Sequence, residues 1–145
     1  MAEKKPQNLA NHAKLDPLFH LIVLPVFALA ALGGIVHFLW HPSYSSASFF
    51  VISVAAAIAV VKIRVYSLKL QDRIICLEER LRLATLCPEP IGSRIPELTE
   101  DQLIGLRFAS DAEVPKLAER AIHQKLSRSD IKKAIQTWRP DYWRV

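Results

Sequence analysis

PLFHLIVLPVFALAALGGIVHFLWHPSYSSASFFVISVAAAIAVV, residues 17–61, contains no Asp, Glu, Lys or Arg. A surface wetted by water carries charge at far shorter intervals, because charged side chains are almost never buried unless paired. Halved, with allowance for a turn, the stretch makes two segments of about 20 residues, the length at which an α-helix crosses the roughly 30 Å hydrocarbon core of a bilayer. Lipid offers the backbone no hydrogen-bond partner, so a crossing segment must satisfy its own amides and carbonyls, as a helix does. Residues 17–61 therefore read as a two-helix transmembrane hairpin.

The details inside the stretch fit that reading. Asp16 is placed to cap the first helix, with Pro17 at its first position. A span over residues 17–40 would be roughly 36 Å long, enough to cross with some tilt. Pro25 removes one amide donor and crowds the carbonyl of Leu21, which predicts a bend. Gly33-Gly34 loosens the second half. Residues 41–44 form a short uncharged connection, so the two helices are antiparallel neighbours. Ser45 or Ser46 is placed to cap a second span over residues 45–61. Trp40 and Tyr44 flank the turn, and Lys62 and Arg64 follow the second span; these four read as membrane-interface residues. Basic residues lie beyond both outer ends of the hairpin and none in its turn, which predicts both termini in the cytoplasm. Ala30 with Gly34, and Ser53 with Ala57, are small pairs at helical spacing that would let the two backbones approach. The apolar run is too long and begins too late to be a cleaved signal.

Outward from the hairpin the chain is charged. Residues 1–16 read as a polar cytoplasmic arm, mobile to about Asn8. No Pro or Gly interrupts residues 62–86, so the second span is expected to continue as a cytoplasmic stalk helix over residues 62–87. Leu70, Ile74, Leu77, Leu81 and Ala84 follow steps of four and three, an apolar partner seam of coiled-coil type. Its occupant is either the same helix in another subunit or the later helices folding back. The shortness of the run favours folding back. Pro88 and Pro90 end the stalk. Residues 88–145 read as a small helical bundle: Thr99–Gln102 is a capping box, Ser110–Glu113 looks like a second, and Ser127 or Ser129 caps a last helix carrying Ile131, Ile135 and Trp138. The whole is all-α.

Asn11-His12, Pro17-Leu-Phe-His20, Gln71-Asp-Arg73, Leu77-Glu-Glu-Arg-Leu-Arg82, Leu103-Ile-Gly-Leu-Arg-Phe-Ala-Ser-Asp111, Ile131-Lys-Lys133 and Trp138-Arg-Pro-Asp-Tyr142 resemble a family of small bacterial two-span membrane proteins, grouped as a domain of unknown function. The likeness runs the length of the chain in the same order. It implies the same topology and a bacterial inner membrane. It implies no activity, and no functional residue carries over from it.

Chemistry-bearing motifs are sparse. The formal charge is +5. The basic excess starts at the membrane edge, which argues for anionic headgroups over nucleic acid. Cys76 and Cys87 stand eleven residues apart, roughly 16 Å along a helix and too far to bridge, and no Cys/His spacing suggests zinc. His20 and His37 lie in apolar surroundings, where an imidazole invites a ligand hypothesis, yet roughly 25 Å of helix separates them. The bland reading is an interfacial histidine bonded to water, headgroup or backbone. His12 with His20 lacks the further ligands a metal needs. Glu78 and Glu79 point to different faces and read as solvated stalk residues. Arg128, Lys132, Lys133, Trp138, Arg139, Tyr142, Trp143 and Arg144 mix cations with rings, suited to a small core, a lipid surface, a protein or a nucleic acid. No nucleophile arrangement or phosphate-binding glycine loop is present, so no catalytic, cofactor-binding or metal-binding residue is assigned and no cofactor is expected. The expectation is a non-enzymatic, membrane-anchored interaction or assembly subunit whose partners are the lipid bilayer and either a second copy or a larger membrane complex. The alternatives are a small homo-oligomeric transporter or channel and a cofactor-bearing subunit.

Overall fold

The structure, a computed structural model, describes residues 6–11 and 15–142. It is all-helical, and its described residues contain no strand beyond an isolated antiparallel bridge between Ala109 and Trp138. A π-helical turn, Phe19–Val23, leads into α1, Leu24–Trp40. α2 is Tyr44–Leu86, a single helix of 43 residues. Then come α3 (Ile91–Arg94), a 3-10 turn (Ile95–Glu97), α4 (Glu100–Leu106), α5 (Val114–Gln124) and α6 (Arg128–Ala134). Two compact units divide the described residues: 15–69, and 70–142 with 6–11. α2 contributes to both.

The first unit is the hairpin. Asp16 accepts a hydrogen bond from the Phe19 amide at 3.2 Å, the capping role its sequence position predicts. Where Pro25 predicts a bend, the chain forms the π-helical turn, in which the Leu24 amide reaches back to the Phe19 carbonyl. A π turn just before a proline re-registers the ladder around the missing donor. The cap of α2 is Ser43, not Ser45 or Ser46: Ser43 Oγ accepts from the Ser46 amide at 3.2 Å and Ser46 Oγ accepts from the Ser43 amide at 2.9 Å. Ser46 thus fills the place that Glu or Gln takes in a capping box. At the outer end Arg64 lies 4.0 Å from Asp16 and 5.4 Å from the Phe19 ring centroid.

The two apolar helices approach closely at Gly34. A Cβ built there would lie 3.2 Å from the Phe50 Cα, whereas one at Gly33 meets nothing within 4 Å. Phe38 and Phe50 stack nearby with centroids 6.3 Å apart. Gly34→Ala is therefore expected to wedge two backbones apart and cost about 1–3 kcal/mol. Gly33→Ala is expected to be neutral or slightly stabilising through helix propensity. Unfolding of each variant in mixed detergent micelles, followed by far-ultraviolet circular dichroism, distinguishes the two.

In the second unit α2 from residue 70 onward shares one core with the later helices. That core holds Ile75, Cys76 and Leu83 from α2 and Cys87 just past its end, with Leu98, Leu103, Leu106, Phe108, Val114, Leu117, Ala118, Ala121 and Ile131. The Thr99 box forms as its sequence predicts, with the Gln102 amide donating to Thr99 Oγ1 and the Thr99 amide to Gln102 Oε1. Gln102 also donates from Nε2 to the carbonyls of Ala121 and Leu126, tying α4 to the end of α5. Three sequence expectations fail here. Ser110–Glu113 is not a capping box, because Pro115 sets the helix start at Val114 and Glu113 instead accepts from the Gln136 and Thr137 amides. The last helix ends at Ala134, with Ile135 extended. Trp138 consequently lies beyond α6, bridged to Ala109 and with its ring 5.2 Å from that of Phe108. Gln7, expected in a mobile arm, exchanges two hydrogen bonds with the Asp141 backbone at 2.8 and 3.1 Å.

Candidate interaction surface

From residue 70 to residue 86, α2 has two apolar faces, and the bundle covers one of them. The covered face carries Ile75, Cys76 and Leu83, with Cys87 one residue past the helix end. Glu79 lies on it too, only 4% exposed. That corrects the reading of Glu79 as a solvated residue; Glu78 is exposed. Burial of Glu79 is tolerable because basic groups converge on it. Arg82 Nη1 donates to Oε2 at 2.9 Å and Arg139 Nη1 to Oε1 at 3.4 Å. Arg82 in turn pairs with Asp111 at 2.6 Å and donates to the Ala109 carbonyl at 2.7 Å. One arginine therefore joins α2 to the segment that bridges Trp138. Burial pushes the Glu79 carboxyl up from its ordinary range, and the arginines, Arg82 foremost, pull against it.

The other face is the sequence-predicted seam. Leu70, Ile74, Leu77 and Leu81 keep 50–64% of their surface exposed, and Ala84 is exposed as well. The expectation that later helices fold back onto this seam is wrong. They fold back onto the neighbouring face, because Ile75, Cys76, Leu83 and Cys87 bury more completely there and Glu79 finds its arginines. The signal was present at residues 75, 76, 79, 83 and 87, a second set at helical spacing interrupted by one carboxylate.

Trp40 and Tyr44 are strongly exposed at the turn. Lys62 lies over the Tyr66 ring at 5.8 Å, and Arg64 is engaged as described above. His20 Nδ1 is 2.7 Å from the Asp16 carbonyl, so its ring is already bonded within the chain. The His37 ring stands 5.3 Å from that of His41. Cys76 and Cys87 are both free and buried, and burial is the main cause raising their thiol pKa values. Lys132 and Arg107 lie over the Phe108 ring at 5.4 and 4.5 Å, so part of the C-terminal mixture of cations and rings serves the core. His12, Trp143 and Arg144 fall outside the described residues.

Two apolar helices joined by a tight turn, the second running on into a small bundle, define an all-helical protein with two helices long and apolar enough to cross a membrane. The chain belongs to a family of unknown function, DUF6526, whose model matches residues 1–145. No curated protein and no solved structure matches it.

Proposed function

We propose that this chain is a non-enzymatic interaction or assembly subunit anchored in a membrane by its hairpin. The observation that carries the proposal is the open stripe Leu70–Ala84: a helix committed to the bundle on one face keeps a second apolar face in water. Exposed apolar surface of that kind marks a docking site. Lipid as the solvent of the hairpin is supported by burial. The most apolar windows of Phe19–Trp40 and of α2 have mean hydropathies of 2.3 and 2.1, yet only 6% and 11% of those windows is buried. The core helix of a water-soluble protein would be mostly covered.

The hydrogen bonds between Gln7 and Asp141 support an even number of crossings, since the segments on either side of the hairpin meet in one unit. The excess of Lys and Arg at the outer ends supports a cytoplasmic location for that unit. The resemblance to small bacterial proteins points to the inner membrane as the host.

An alkaline carbonate wash of native membranes, followed by protease treatment of inside-out vesicles, tests the reading. The chain is expected to stay in the membrane pellet and to lose its bundle to protease while residues around Leu29 and Ala56 are protected. Release by the wash, or cleavage within the hairpin of intact vesicles, would overturn it.

A further inference from the structure

We propose that the open stripe of α2 is the seam of a parallel, in-register, two-stranded coiled coil between two copies of this chain. The proposal rests on the membrane-anchored reading for its local concentration. Its occupant follows from the residues. In heptad terms Ile74 and Leu81 take position a, and Leu70, Leu77 and Ala84 take position d. Ile74 at a with Leu70 and Leu77 at d is the β-branched-with-leucine pattern that favours two parallel strands. The chain's own bundle covers Ile75, Cys76, Glu79 and Leu83, which are positions b, c, f and c. Every a and d side chain stays exposed, so the bundle and a second strand can occupy the helix together.

The flanking charges are self-complementary. Arg73 and Arg80 stand at g, and Glu78 at e; all three are exposed. Among the described residues neither Arg73 nor Glu78 makes an ion pair within its own chain. In a parallel pair each g side chain faces the e position of the following heptad, which sets Arg73 against the partner's Glu78 on both sides of the seam. An antiparallel pair would set g against g, arginine against arginine, and like charges so placed repel. Two helices entering one membrane in the same sense are also parallel by construction. Two heptads are too short to associate strongly in dilute solution, and confinement to one membrane raises the effective concentration of the second copy.

The test is disulfide trapping of the full chain in native membranes after an alkaline wash. Leu77→Cys and Leu70→Cys place a thiol on the seam, and exposed Glu119→Cys on α5 is the control. The native chain serves as a second control, because Cys76 and Cys87 are buried. Mild oxidation is expected to yield a band at twice the chain's mass from the seam variants and from neither control. In the Leu77→Cys background, Arg73→Glu or Glu78→Arg alone is expected to lower the trapped fraction about fivefold, and the two together to restore it. A washed membrane that retains the chain but yields no doubled band overturns the proposal alone. So does a cross-linked band of some other mass, which would identify a different protein as the occupant, or a double swap that fails to restore trapping. Loss of the chain from the membrane in the wash overturns the anchored reading and this proposal with it.

Discussion

Phe108→Ala is expected to cost the bundle about 3–5 kcal/mol, the usual penalty for truncating a fully enclosed aromatic ring. Phe108 is completely buried. Its ring also organises what surrounds it. Trp138 packs on it at 5.2 Å, and the Arg107 guanidinium and Lys132 ammonium lie over it at 4.5 and 5.4 Å. Its carbonyl accepts the Arg139 amide at 2.7 Å. Removing the ring opens a cavity beneath two cations and frees the tryptophan that closes the C-terminal segment. A unit with so small a core sits near the low end of the usual range of about 5–15 kcal/mol, so the loss consumes most of its stability. Thermal unfolding in detergent, read by near-ultraviolet circular dichroism, should show the aromatic signal lost well below the native transition. Far-ultraviolet helicity of the hairpin should persist. Phe108→Leu keeps most of the volume and should fall between the two.

The hairpin was legible because charge is the hardest property for a soluble surface to lack. Residues 17–61 lack it entirely. Local capping chemistry was legible at Thr99, where a hydroxyl and an amide three residues on form a self-contained motif. It was misread at Ser110, where the same motif is outbid by a proline and by two amides from residues 136 and 137. No local rule anticipates a contact over that separation. The choice between the two apolar faces of α2 was misread for a similar reason. Leu70 to Ala84 gives the cleaner periodicity, and periodicity rewards clean stripes. The face actually covered contains Glu79, whose burial is tolerable only because Arg82 and Arg139 reach it, and Arg139 is sixty residues away. Sequence patterns locate apolar stripes well, and locate poorly the polar groups that distant partners allow inside. The clean stripe is left exposed, and it is on that stripe that the proposed docking of another chain rests.

Arg82→Ala is expected to be as damaging as the loss of Phe108 at neutral pH, and less so in acid. Arg82 holds Glu79 at 2.9 Å, Asp111 at 2.6 Å and the Ala109 carbonyl at 2.7 Å. Without it the Glu79 carboxylate stays buried with Arg139 at 3.4 Å as its nearest cation. Stripping the partner from a buried charge costs about 3–5 kcal/mol. The pH dependence follows from the direction of the Glu79 shift, which burial raises from its ordinary value of 4.5. A carboxyl whose folded pKa lies above its unfolded one holds its proton more tightly when folded. Its contribution to stability is thus most favourable below the unfolded value, declines as pH rises between the two, and is constant above the folded value. Arg82 is the principal group opposing that shift, so Arg82→Ala should raise the folded value further and extend the decline to higher pH. Acidification toward the unfolded value should recover part of the lost stability, up to the point where other carboxylates protonate. Glu79→Gln removes the titrating group and keeps its volume and an acceptor oxygen. In the Arg82→Ala background it should restore about half the loss at neutral pH and abolish this group's pH dependence. Denaturant midpoints for the four members of this cycle, measured at neutral and at mildly acidic pH, check these expectations. If Arg82→Ala were equally destabilising at both pH values, the buried Glu79 charge could not be the source of the cost.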